Sequence, residues 1–301
     1  MNYWTAFTPM LDKTTDIDAL PPIVEEALSR LNSIATLPEV AQEVMRVADD
    51  PESTADDLKR LISSDAVLTA RVLKVVNSSF YGLPGEVDSI HQAVVILGMN
   101  AVRSIAVASS FGKIFRNTQV NDTFDARDIW QNATVVACAG KLISSRARLD
   151  DELCFLLGML HDIGLVLEVQ FARDEFIRVI ERHKEQPDTP FVQIERELIG
   201  ASHQEFGQAL CRKWQFPEMI QRVVGAHHEP ERLDGEARRY AMVLAISDVL
   251  ASEIGAGFLI PAPEGGVPRA YTEDLGLSAD DIGEILKELP EALELASVIG
   301  G

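Results

Sequence analysis

Apolar residues recur at three- and four-residue spacing through most of the chain. In 37–49 they fall at Leu37, Val40, Ala41, Val44, Met45, Val47 and Ala48, a stripe that predicts an amphipathic helix. Thr54, followed three residues on by Asp57, has the form of a helix N-terminal box. Residues 65–77 predict another helix, stopped by the turn-rich NSSFYGLPG, whose polar side chains are expected to bond nearby backbone groups. A short helix over 89–98 ends at Gly98, and the next, over 99–111, places Val102, Ile105, Ala106 and Ser109 on one face. Val75, Val76, Val94 and Val95 favour strand on propensity, but the spacing outweighs them. The polar stretch 116–128 reads as a lobe boundary. Helices are predicted beyond it at 127–147, 151–162, 171–185, 190–200, 203–214, 217–228 and 237–252. Residues 255–268, rich in Gly and Pro, predict a loop. Ser278 with Asp281 predicts a second helix cap, and the acidic helical tail over 279–298 should break or kink at Pro290. The expected architecture is all-α. An N-terminal extension (1–27) is followed by two helical lobes (28–118 and 119–254), then a loop and an acidic helix (255–301) expected to present a solvated face.

Composition narrows the classes. The chain has 301 residues, 47% hydrophobic and 25% charged, a globular balance that excludes a disordered chain. Its formal charge of −20, with no run of four Lys/Arg, argues against general nucleic-acid binding. No stretch approaches the ~18 consecutive apolar residues of a membrane span. The first twenty residues lack the basic-then-apolar pattern of a secretory signal, so a cytoplasmic location is expected. Cys138, Cys154 and Cys211 are far apart and form no C-x-x-C pair, which fits reduced structural thiols.

Histidine placement carries the chemistry. His161 sits beside Asp162 after the apolar run LCFLLGML. His203 follows, then the pair His227–His228, and Asp248 lies within the apolar AMVLAISDVLA. Helices apolar on all sides are buried, and a buried carboxylate is costly unless paired, hydrogen-bonded or bound to metal. Four histidines and two such carboxylates have a common explanation in a divalent metal, with Fe, Mn or Zn suited to imidazole and carboxylate together. The alternative is that each is a satisfied core residue. His183, in ERHKEQPD, reads as a solvated surface residue, and His91 as local structure at a helix start.

GMLHDIG (158–164) resembles the His-Asp motif of the HD superfamily of metal-dependent phosphohydrolases, and LAISDVLA (244–251) resembles its final Asp motif. Residues 201–231 are similar to the histidine-bearing segment of the HD-GYP and HDOD branches. Residues 37–111 decide between these branches. Leu37-Pro38, Asp65, Leu68, Asn77-Ser78, Tyr81-Gly82, Ser89-Ile90 and Leu97-Gly98 follow the HDOD pattern, and the resemblance extends from about 28 to 230. It implies an all-α protein of bacterial signalling systems with a degraded catalytic site. The family's first His position is Asn132. The lysine that meets substrate phosphate in the HD-GYP enzymes is replaced by Leu165, and the GYP signature is missing. By the same resemblance one metal set retains His161, Asp162 and Asp248 with Asn132 a poor fourth. The second set, Asp162, His203, His227 and His228, is complete, so one or two ions are expected.

Three readings follow. The first is a regulatory HDOD module that acts through signalling-protein partners, with little or no catalysis and an apolar surface patch for docking. The second is a metal-dependent phosphohydrolase acting on a nucleotide or cyclic dinucleotide. The third is a metal or ligand sensor. A nucleotide ligand and a homodimer are both compatible with the sequence.

Overall fold

A computed structural model describes residues 19–31, 39–49, 53–116, 119–121, 124–257 and 266–300. In chain order the first helices are α1 (Pro22–Arg30), α2 (Glu39–Asp49), α3 (Ala55–Ser63), α4 (Ala66–Val76), α5 (Ile90–Leu97) and α6 (Met99–Arg116). A short antiparallel hairpin, β1 (Gln119–Asn121) and β2 (Phe124–Asp125), comes next. There follow α7 (Ala126–Ala147), α8 (Asp151–Leu160), α9 (Ile163–Phe171), α10 (Arg173–Glu185), α11 (Phe191–Leu198), α12 (His203–Lys213), α13 (Glu218–Val224) and α14 (Gly235–Glu253). The chain closes with α15 (Arg269–Leu275), α16 (Ala279–Glu288) and α17 (Pro290–Gly300). The all-α expectation holds, with one short hairpin in the polar stretch 116–128.

Local signals in the sequence set many of the ends. Thr54 and Asp57 form the reciprocal box on α3, and Ser278 and Asp281 form the one on α16. The Asp65 carboxylate accepts from Val67 N–H and Leu68 N–H at the start of α4, and that of Asp150 caps α8 in the same way. After α4, the Asn77 side chain donates to Leu73 O and Val87 O and accepts from Val87 N–H, pinning the turn as expected. Pro290 opens α17, where its missing N–H costs nothing, so the tail is two helices.

Helix α7 is the central rod. It packs on α8 and α14 and, from the other side, on α17. The C-terminal tail is therefore more than a solvated acidic face, because Leu289, Ala292 and Leu295 are fully buried. Helix α1 buries Val24 and Ala27 and packs on α9 and α12.

Gly164 brings α9 onto α12. A Cβ there would lie 1.9 Å from His203 O and 2.5 Å from Gly207 N, whereas one on Gly207 would first meet Val224 Cγ1 of α13, at 2.9 Å. Only hydrogen at Gly164 lets α9 and α12 approach closely enough to set His203 beside Asp162.

Candidate metal centre

The periodicity suggests a helix over 151–162, but α8 stops at Leu160. His161 and Asp162 occupy the joint between α8 and α9, a helix hidden in the uniformly apolar run IGLVLEVQF. Likewise α13 ends at Val224, and His227 and His228 lie in the turn after it rather than in a helix over 217–228. His203 is the first residue of α12, while Asn132 and Asp248 project from the middles of α7 and α14. Two joints, one helix start and two helix middles thus converge on one place.

The imidazoles are oriented by their outer nitrogens. His161 Nδ1 is 2.7 Å from Gly158 O, and His227 Nδ1 is 2.8 Å from Val224 O. A carbonyl only accepts, so each Nδ1 carries the proton. His203 Nδ1 lies 2.8 and 2.9 Å from the two oxygens of Glu195, the arrangement of an N–H shared by a carboxylate. Glu168 is buried behind Glu195. Burial pushes both carboxyls well above their usual range, and the neighbouring Glu195 raises Glu168 further.

With Nδ1 protonated, the Nε2 atoms of His203 and His227 present lone pairs, and these face one another. His203 Nε2 and His227 Nε2 are 3.3 Å apart, and they lie 3.4 and 3.5 Å from Asp162 Oδ1. His161 Nε2 is 3.1 Å from Asp162 Oδ2 and 3.9 Å from Asp248 Oδ1. One ligand atom each from Asp162, His203, His227 and His228 falls within 4.8 Å of the others. Asp162 Oδ1 and His228 Nε2 are buried without a hydrogen-bond partner. Acceptors gathered in a dry space repel one another unless a cation lies between them, and one oxygen with three imidazoles suits a divalent transition metal. The residues present fit such an ion.

The electrostatics agree. Burial disfavours charge on His161, but Asp162 and Asp248 more than offset it and push its pKa up to about 9. Burial and the neighbouring imidazoles hold His228 well below the usual histidine range, and burial lowers His227 as well. These two rings remain neutral and able to ligate. Burial raises Asp162, yet the His161 charge and hydrogen bond bring it well below the usual carboxylate range; burial raises Asp248.

Asn132 is buried; its amide N–H donates to Ala256 O at 3.2 Å and the side chain also interacts with Asp248, while its Oδ1 has no hydrogen-bond partner. Leu165 is buried in the core. Among the described residues, none of the ion pairs made by Asp162 or Asp248 involves a lysine or arginine.

Supporting residues were not foreseen from sequence. Gln204 donates to Glu229 and accepts from His228 N–H, and Glu229 is clamped by Arg196 and Arg232. This network fixes the His227–His228 turn. A lone Glu168 inside LVLEVQF was the available signal for the acids behind His203. His183 is a correction: it is buried and meets the Phe191 ring edge-on, so it is a core residue rather than a solvated one. The cause is the packing of α10 on α11, which turns His183 inward while the charged residues around it face out. Cys138, Cys154 and Cys211 are buried free thiols, and burial raises the Cys154 thiol to about 12.

A family model for the HDOD domain matches residues 34–230. The chain belongs to the HDOD family. A solved HDOD domain protein of unknown function from Geobacter sulfurreducens is 26% identical. It superposes with a TM-score of 0.77, covering 92% of this chain and 96% of that one. A Shewanella amazonensis protein provisionally assigned as a phosphohydrolase has the same fold, at 23% identity and a TM-score of 0.73, covering 94% of this chain and 100% of its own. An uncharacterized protein of Treponema pallidum is 26% identical over 203 residues, 66% of this chain. This HDOD chain spans only 38% of that relative's length. Among the described residues no helix is long and apolar enough to cross a membrane.

Proposed function

We propose that this HDOD chain is a regulatory signalling module built on a retained one-metal centre and devoid of phosphodiesterase activity. The observation that carries the reading is the asymmetry of the site. Asp162, His203, His227 and His228 bring their ligand atoms together, while the other set has the neutral amide of Asn132 in place of an imidazole and Leu165 lies in the core. A divalent ion held by the convergent four would supply a fixed positive charge and a Lewis acid. The chain's own residues then hold the scaffold in place. Gly158 O, Val224 O and Glu195 orient the three rings, and the proton of His161 is held against Asp162 and Asp248. A phosphoester displacement needs charge stabilisation on both the attacking and the leaving oxygens. The other set, His161, Asp162 and Asp248, lacks its imidazole at Asn132, and among the described residues no lysine or arginine pairs with Asp162 or Asp248.

Partner proteins are the proposed output. The large apolar side chains exposed among the described residues, Val67, Val95 and Ile96, lie on α4 and α5 of the first lobe. A Marinobacter aquaeolei protein provisionally assigned to signal transduction shares the fold, at 22% identity. The test is hydrolysis of bis(p-nitrophenyl) phosphate and of cyclic dinucleotides with added Mn²⁺ or Fe²⁺. The expected result is no turnover above the buffer rate, unchanged in His203→Ala. Activity that disappears in His203→Ala would establish the phosphohydrolase reading instead.

A further inference from the structure

A groove of about 100 Å³ lies among α2, α6, α8 and the start of α13. Met45 of α2 and Arg103 and Val107 of α6 line it from one side. Leu156 of α8, with Phe216 and Ile220 from around the start of α13, lines it from the other. Glu152 also faces it, but that carboxylate is bound by Lys141. Arg103 is partly buried and makes no ion pair or hydrogen bond with any described residue. Such a guanidinium is unexpected in a chain with 47 acidic residues against 27 basic ones.

We propose that this groove binds a small amphipathic anion, an apolar body carrying one carboxylate, with Arg103 as the counter-ion. The walls are mostly apolar and carry a guanidinium that no described residue answers, a make-up typical of small-ligand sites. The planar fork of arginine matches a carboxylate bidentately. The groove is a short recess bounded by α2, α6, α8 and the turn before α13, which favours a small molecule over a docked helix. It is separate from the candidate metal residues, and the proposal does not depend on a bound ion. Its position has a consequence, because α8 runs from the groove to His161–Asp162, and α13 runs from it toward His227–His228.

The test is calorimetric titration of the full chain with octanoate and, separately, with octanol. The wild type is compared with Arg103→Gln, Arg103→Lys and Met45→Trp, each checked for an unchanged melting temperature. Octanoate is expected to bind saturably, about tenfold more tightly than octanol, as a charge-assisted contact implies. That preference should vanish in Arg103→Gln and persist in Arg103→Lys, and Met45→Trp should weaken both probes by narrowing the groove. Equal octanoate affinity in wild type and Arg103→Gln, or no saturable binding, would overturn the proposal. So would binding confined to an acidic amphipathic peptide, which would make the groove a protein-docking surface.

Discussion

Single side chains decide how much of the metal site survives. Asn132 stands where the family resemblance expects an imidazole, beside Asp248 and within the same buried layer as His161. Asn132→His should therefore raise bound metal from about one to about two equivalents per chain, read by elemental analysis, since imidazole is a far better ligand than a neutral amide. Glu229 is the other decisive side chain. It is buried and holds Arg196, Arg232 and Gln204 at once. Burial raises its carboxyl, but the hydrogen bonds and charge of Arg196 outweigh this and leave it below the usual range. A carboxyl lowered on folding stabilises the native state above its unfolded pKa of about 4.3, and the contribution disappears as pH falls through the folded value. Glu229→Gln should cost about 2 kcal/mol at neutral pH. It should also flatten the acid limb of stability, as followed by urea unfolding from pH 7 down to pH 3. The histidines and Asp162 were legible from sequence because charged residues in apolar runs demand a partner. Glu195 was not, because nothing in the spacing of FVQIEREL shows which of its three carboxylates or amides turns inward.

Helices place these side chains, and their ends matter more than their middles. Caps such as Thr54–Asp57 and Ser278–Asp281 were readable because they are local, two side chains closing one turn. The joint at His161–Asp162 was not, because α8 and α9 are both apolar on nearly every face and periodicity shows no break between them. The buried face of α17 was hidden for a different reason: Glu291 and Glu294 continue the acidic run of α16, while Ala292 and Leu295 do the packing. At the α9–α12 crossing the structure tolerates no side chain on Gly164. Gly164→Ala would place a methyl carbon against the His203 carbonyl, so a loss of about 3 kcal/mol or more is expected in chemical denaturation. Any folded fraction should bind metal more weakly, because relief of the clash moves His203 away from Asp162.

For the whole molecule, the all-α architecture followed from periodicity and from the HDOD resemblance, and the family match across 34–230 agrees with both. What remained illegible was how the lobes meet, since the α6–α8 contact, the wrap of α17 and the groove beside Arg103 arise from long-range packing that no local pattern encodes. The central claim is that four residues drawn from the α8–α9 joint, the start of α12 and the turn after α13 form one working ligand cage. Metal content per chain tests it most directly, by elemental analysis of protein purified without chelator or metal-affinity resin, wild type beside His203→Ala. The account predicts about one equivalent of Fe, Mn or Zn in the wild type, the complement of a closed four-ligand site, and its loss in His203→Ala. No retained metal after incubation with Mn²⁺, Fe²⁺ and Zn²⁺, or metal that persists in His203→Ala, would contradict it.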